Sequence, residues 1–82
     1  MSTSEAYLSR EKHTELESEL KSLKSVRRKE IAEQLEYAKS LGDLSENAEY
    51  HDAREAQAAL EERISKIEDL LRRATIVDGR KH

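Results

Sequence analysis

The stretch Leu41-Gly42-Asp43-Leu44-Ser45-Glu46-Asn47-Ala48-Glu49-Tyr50 holds the only glycine in the interior of the chain. Long, highly charged segments without proline flank it on both sides. Glycine pays little for a left-handed backbone, so Gly42 reads as a helix stop. Asp43 or Ser45 then offers a side-chain oxygen to start the next helix. The stretch therefore reads as the tip of a helical hairpin, with Asp43 and Glu46 standing on it.

Outward from the tip, both flanks carry helical spacing. Upstream the apolar line is Leu16, Leu20, Leu23, Arg27, Ile31, Leu35, Ala38, in steps of four, three, four, four, four, three. The run of fours breaks a strict heptad and predicts a local relaxation of the supercoil between Arg27 and Leu35. Arg27 can lay its methylenes along the seam and turn its guanidinium outward. Downstream the line Tyr50, Ala53, Gln57, Leu60, Ile64, Ile67, Leu71, Ala74 alternates threes and fours, a heptad seam. The expected helices run from about 10 to 41, with Ser9 as N-cap, and from about 45 to 74. Helices joined so tightly must lie antiparallel. The fold class is therefore all-α: a long antiparallel two-helix coiled-coil hairpin with a short exit strand. A turn near Asp43 pairs Ala38 with Tyr50, Leu35 with Ala53, Ile31 with Gln57, Leu23 with Ile64, Leu20 with Ile67 and Leu16 with Leu71. At 1.5 Å per residue each helix is roughly 45 Å long, which makes a rod.

The ends carry less. Residues 1–8 read as an irregular lead-in anchored by Tyr7 and Leu8. Thr75-Ile76-Val77-Asp78 reads as an extended exit strand with no partner, Gly79 breaks it, and Arg80-Lys81-His82 forms a tail. The domain reading is one coiled-coil hairpin domain over 1–78 and a tail over 79–82.

Composition agrees. The 82 residues are 40% charged and 35% hydrophobic, without Phe, Trp or Cys, a mix suited to long helices rather than a globule. The missing cysteines exclude a disulfide framework and a cysteine zinc site, and suit a cytoplasmic protein. No apolar run approaches membrane-spanning length and Met1-Ser2-Thr3-Ser4 lacks a signal-peptide pattern, so no membrane partner is expected. The net charge of −3 argues against autonomous nucleic-acid binding. The distribution is uneven. Between Glu33 and Glu62 the only bases are Lys39 and Arg54, whereas Lys21, Lys24, Arg27, Arg28, Lys29, Arg63, Lys66, Arg72 and Arg73 lie away from the tip. Either these are two solvated helix faces or the tip half is an acidic end for a metal or a basic channel.

Asp43 and Glu46 have two readings. Asp-x-x-Glu at a helix start can be a capping box. Alternatively the two carboxylates face one way as hard ligands for Mg²⁺, too few to hold it tightly without ligands from a partner. His51 reads as a solvated helix residue beside the seam, and His13 and His82 do not cluster with other ligands. Tyr50 reads as the packing residue that closes the tip. Arg54 is a lone cation in an acidic region, either paired with Asp52, Glu55 or Glu36 or facing RNA phosphate. No Ser-His-Asp set, Cys-His set or glycine-rich phosphate loop is present.

The run from Gly42 to His51, followed by Ala53-Arg54-Glu55, resembles the tip signature of the Gre family of bacterial transcript cleavage factors. The likeness extends to Leu23-Lys24-Ser25-Val26-Arg27-Arg28, Ile67-Glu68 and Ala74-Thr75-Ile76-Val77-Asp78, so it covers most of the chain from Tyr7 to Asp78. It implies a coiled coil that enters the secondary channel of RNA polymerase and stimulates hydrolytic cleavage of backtracked RNA near its 3′ end. Asp43 and Glu46 would be the catalytic, metal-directed acids, sharing Mg²⁺ with the polymerase. Gly42, Ser45, Asn47 and Tyr50 would shape the tip, and Arg54 would face the RNA. Asp52 stands where the family often has alanine, adding charge beside Arg54. The resemblance implies an accessory factor rather than an enzyme, working as a monomer. The family's globular C-terminal domain has no counterpart among these residues, and an unpartnered Ile76-Val77 strand favours truncation. Other readings are a channel-binding regulator without cleavage activity and a structural coiled-coil adaptor.

Overall fold

In the computed structural model, which describes residues 5–77, the chain runs as β1 (Ala6–Ser9), α1 (Arg10–Ser22), a π turn (Leu23–Arg27), α2 (Arg28–Ser40), a 3₁₀ turn (Leu44–Glu46), α3 (Ala48–Arg73) and β2 (Ala74–Val77). The molecule is mostly helical and elongated, with extents of 62 × 29 × 14 Å. Asp78, the tail and His82 lie outside the described residues.

Ser9 starts α1 as the sequence predicts. It sits in extended backbone and its Oγ accepts from the Lys12 amide at 3.0 Å. The helix does not stop at Ser22 but widens for five residues, with the Arg28 amide reaching back to the Leu23 carbonyl. The reason lies in the seam. Leu16 to Ala38 contains one residue more than six alternating heptad steps allow. A π turn is a one-residue insertion into an α-helix, so it absorbs the extra residue and returns Ile31 and Ala38 to the inner face. Ser25 Oγ donates to the Lys21 carbonyl at 2.7 Å within this turn. The relaxation thus sits at Leu23–Arg27, upstream of the predicted Arg27–Leu35. Arg27 is half-buried there, with its guanidinium turned out to Glu30 at 2.9 Å.

The core is a single stripe. Leu16, Ile31 and Ala38 from the first arm and Ala53, Leu60, Ile64 and Ile67 from α3 are buried. Its centre is Ile31 against Leu60 and Ile64, surrounded by Leu20, Leu23, Leu35 and Ala56. Ile31 therefore meets two leucine-sized partners where a strict register places it opposite Gln57. The later start of α3, at Ala48, lengthens the connection at the tip and moves the partner of Ile31 along α3 towards Leu60.

Ion pairs flank the stripe. Arg63 holds Glu19 through Nε and Nη2 at 2.9 and 2.8 Å, and Arg28 holds Glu61 in the same two-pronged way at 2.9 and 2.7 Å. Lys24 reaches Glu68 at 3.0 Å. The hydrogen bonds from Arg63 and Arg28 hold the carboxyls of Glu19 and Glu61 below the usual glutamate range. A carboxyl whose folded pKa is depressed stabilises above its unfolded pKa, about 4.3, and the gain is lost as pH falls through the lower folded value. Thermal stability should therefore drop on acidification below about pH 4.3, and the double change Glu19→Gln, Glu61→Gln should flatten that limb. Both pairs are solvent-exposed, so the effect is modest. An unchanged acid limb in the double variant would show that other carboxyls set it.

The ends correct two expectations. Residues 6–9 are not an irregular lead-in, and β2 is not unpartnered. β1 and β2 pair in parallel, Ala6 with Ala74 through Ser9 with Val77. Strand backbone must be hydrogen-bonded, and each strand supplies what the other lacks. The argument for truncation from a lone strand therefore falls. The fold is consequently not purely α: two long helical arms are closed at one end by a two-stranded sheet.

Candidate functional site

The turn between α2 and α3 is built from left-handed backbone and one asparagine. Leu41 ends α2, and Gly42 follows at φ +86° with open space where a Cβ would stand. A side chain at Gly42 is excluded by its backbone angle rather than by crowding. Asp43 then continues in the left-handed region at φ +46°, ψ +70°. Among non-glycine residues Asp and Asn tolerate this region best. The 3₁₀ turn follows, with the Glu46 amide donating to the Asp43 carbonyl at 3.1 Å.

Neither Asp43 nor Ser45 caps α3, and no capping box forms. The helix starts at Ala48, three residues later than predicted, and its cap is Asn47, whose Oδ1 accepts from the Tyr50 amide at 3.0 Å. The same side chain donates through Nδ2 to the carbonyls of Ala38 at 2.7 Å and Gly42 at 3.1 Å. The chemistry explains the choice. An amide both donates and accepts, so Asn47 satisfies carbonyls left by α2 and an amide left by α3 at once. An aspartate at Asp43 has no proton to donate.

His51 is an exposed residue of α3, as the sequence predicts, and it also reaches back to the tip: Nε2 lies 3.2 Å from the Ser45 carbonyl, and its ring stands edge-on to Tyr50 at 5.7 Å. A carbonyl only accepts, so Nε2 carries the proton in this contact. The signal available in the sequence was position: His51 lies one turn past the cap, close enough to hold the turn that precedes the helix.

None of these contacts uses the carboxylates of Asp43 or Glu46. Asp43 and Glu46 are exposed. The only side-chain partner of Asp43 among the described residues is the Ser45 hydroxyl, which donates to Oδ1 at 3.2 Å. Neither acid makes an ion pair among the described residues, unlike Glu19, Glu61 and Glu68 along the arms. Arg54, on the exposed side of α3, makes no ion pair among the described residues, so the expected link to Asp52, Glu55 or Glu36 does not form. Tyr50 is half-buried behind the turn, and Leu41 and Leu44 are 52% and 41% exposed beside the acids. His13 lies away from this end, beside Glu17 at 3.6 Å. No group of three or more potential metal ligands forms among the described residues. Two free hard oxygen donors fit part of a Mg²⁺ shell and leave the rest to other molecules.

Asn47→Asp separates the two jobs of Asn47. Asp and Asn cap equally well, so capping alone predicts almost no change. Losing both Nδ2 donors and placing a charge against the Ala38 and Gly42 carbonyls should instead cost about 1–3 kcal/mol. Thermal unfolding of the variant decides, and a cost near zero would mean that Asn47 acts only as a cap.

Comparison with known proteins follows the same outline. The family model described as the N-terminal part of transcription elongation factor, covering GreA and GreB, matches residues 6–76. A transcription elongation factor GreA of Clostridioides difficile is 52% identical over 77 residues, 94% of this chain and 48% of that protein. Those of Chloroflexus aggregans and Bacillus cereus are 51% and 47% identical over 78 residues, covering 95% and 94% of this chain and 50% and 49% of theirs. The chain spans about half the length of the curated relatives it matches. With a model match over nearly all the described residues and relatives near half identity, the chain belongs to the family of GreA/GreB transcription elongation factor N-terminal domains.

Proposed function

We propose that this chain is an antiparallel coiled-coil hairpin that carries Asp43 and Glu46 into the secondary channel of bacterial RNA polymerase and stimulates cleavage of backtracked RNA. The observation that carries the proposal is the state of the two acids: exposed, without ion pairs among the described residues and without capping duties, on a turn held by Asn47 and His51. Two exposed carboxylates at the apex of the hairpin are placed where a partner's metal site could reach both. The relatives' designation as transcription elongation factors supports the polymerase as partner.

Asp43 and Glu46 would hold a Mg²⁺ ion jointly with acids of the polymerase. When bound there, a divalent cation polarises the phosphodiester and lowers the pKa of an attacking water. The chain's own residues position the acids. Gly42 and Asp43 turn the backbone, Asn47 locks the turn to both helices, and His51 and Tyr50 hold it from behind. Ser45 orients the Asp43 carboxylate, and Arg54 would face RNA phosphate from α3. The exposed Leu41 and Leu44 suit burial in a partner. The factor is accessory: it lends ligands and leaves the chemistry to the partner, in the bacterial cytoplasm and as a monomer.

Stalled elongation complexes with 3′-end-labelled RNA test this. Adding the chain should release short 3′ fragments and restore extension. Binding without release would instead support a regulator that occupies the channel.

A further inference from the structure

Gln34 and Tyr37 on α2 and Glu49, Asp52, Ala53 and Ala56 on α3 line an open groove of about 380 Å³. The groove exists because Ala53 stands on the seam where Leu60 stands one heptad on, and Ala56 beside it is also small. Methyl side chains leave the wall between the helices shallow. Tyr37 stands over it 61% exposed, and its hydroxyl has no partner among the described residues. Glu49 and Asp52 make no ion pair among the described residues, in contrast to Glu19, Glu61 and Glu68, which all pair across the arms.

An aromatic face flanked by uncompensated carboxylates is a receptor for a cation. A guanidinium suits it best, because it is planar, weakly hydrated, stacks on aromatic faces and pairs with carboxylates through two bonds at once. A compact, strongly hydrated ammonium gains less from the ring. Phosphate is repelled by Glu49 and Asp52, which argues against a stacked RNA base in the same place.

We propose that this groove seats an arginine side chain of a protein partner, with the guanidinium over the Tyr37 ring and paired to Asp52 or Glu49. The site lies on the flank of the coil and is separate from Asp43 and Glu46. Assigning the arginine to the polymerase rests on the function proposed above; the groove's preference for arginine does not.

Two arms test it. In the first, the isotope-labelled chain is titrated with a hexa-arginine peptide, a hexalysine peptide and a short single-stranded RNA, and followed by NMR. Arginine should give saturable shifts centred on Tyr37 and Asp52, with lysine weaker and RNA absent. Tyr37→Ala should weaken the arginine peptide about tenfold while Tyr37→Phe keeps its affinity. The pair Glu49→Gln, Asp52→Asn should weaken it at least as much. Equal affinity in Tyr37→Ala, shifts spread evenly over all the acidic turns, or RNA binding at Tyr37 in preference to arginine would each overturn the site. In the second arm, binding to core RNA polymerase is compared for the parent and Tyr37→Ala, with a similar tenfold loss expected. A parent that does not bind polymerase would sink the polymerase reading and leave the peptide arm to decide the groove. A parent that binds while Tyr37→Ala binds equally well would sink the arginine's assignment to the polymerase.

Discussion

Asp43→Asn should leave the fold intact and abolish cleavage stimulation. Asparagine tolerates the left-handed backbone of position 43 at least as well as aspartate. Its amide oxygen can still accept from the Ser45 hydroxyl. Surface changes without a broken contact stay within about 0.5 kcal/mol, and thermal unfolding should find that. Stimulated cleavage should fall by about a hundredfold or more, the loss typical when one group that stabilises developing charge is removed. Alanine is the poorer test, because it adds roughly 1–2 kcal/mol of left-handed strain and confuses shape with charge. If the asparagine variant still stimulated cleavage normally, the acid at position 43 would serve only the turn.

The largest effect on stability should come from Ile31→Ala. Ile31 is 2% exposed and packs on Leu60 and Ile64 at the centre of the only core cluster among the described residues. Truncating a buried isoleucine to alanine costs about 2–5 kcal/mol. In a chain of this size each kcal/mol is worth about 4–8 °C, so the melting temperature should fall by roughly 10 °C or more. Val26→Ala, at a position 55% exposed within the π turn, should stay within about 0.5 kcal/mol. A similar loss from both would mean that the stripe does not carry the stability.

Much of this was legible. On α3 the alternation of threes and fours points to Ala53, Leu60, Ile64 and Ile67, and all are buried. On the first arm the run of fours marks an irregularity, though not its form, because periodicity counts residues and does not say which turn takes up a surplus. Gly42 as a helix stop follows from conformational freedom alone. The pairing of β1 with β2 was not legible. Each strand is four residues long, and their contact joins Ala6–Ser9 to Ala74–Val77 across nearly the whole chain, so no local pattern signals it. At the tip, Asp43, Ser45 and Asn47 are all acceptable caps by type. What decides between them is that an amide can serve a carbonyl and an N–H at once, a consequence of having two helix ends within reach. The role of His51 was hidden for the same reason: its partner is a backbone carbonyl, which leaves no trace in side-chain identity.

The claim that Asp43 and Glu46 complete a metal site with a partner is tested most directly by the Mg²⁺ dependence of stimulated cleavage. Stalled polymerase saturated with the parent chain, and then with Asp43→Asn shown by competition to bind equally well, would be titrated with Mg²⁺. The expected result is a lower maximal rate and a Mg²⁺ requirement shifted several-fold upward in the variant. A variant with parental affinity whose cleavage follows the parent's Mg²⁺ curve would contradict a role for Asp43 as a metal ligand.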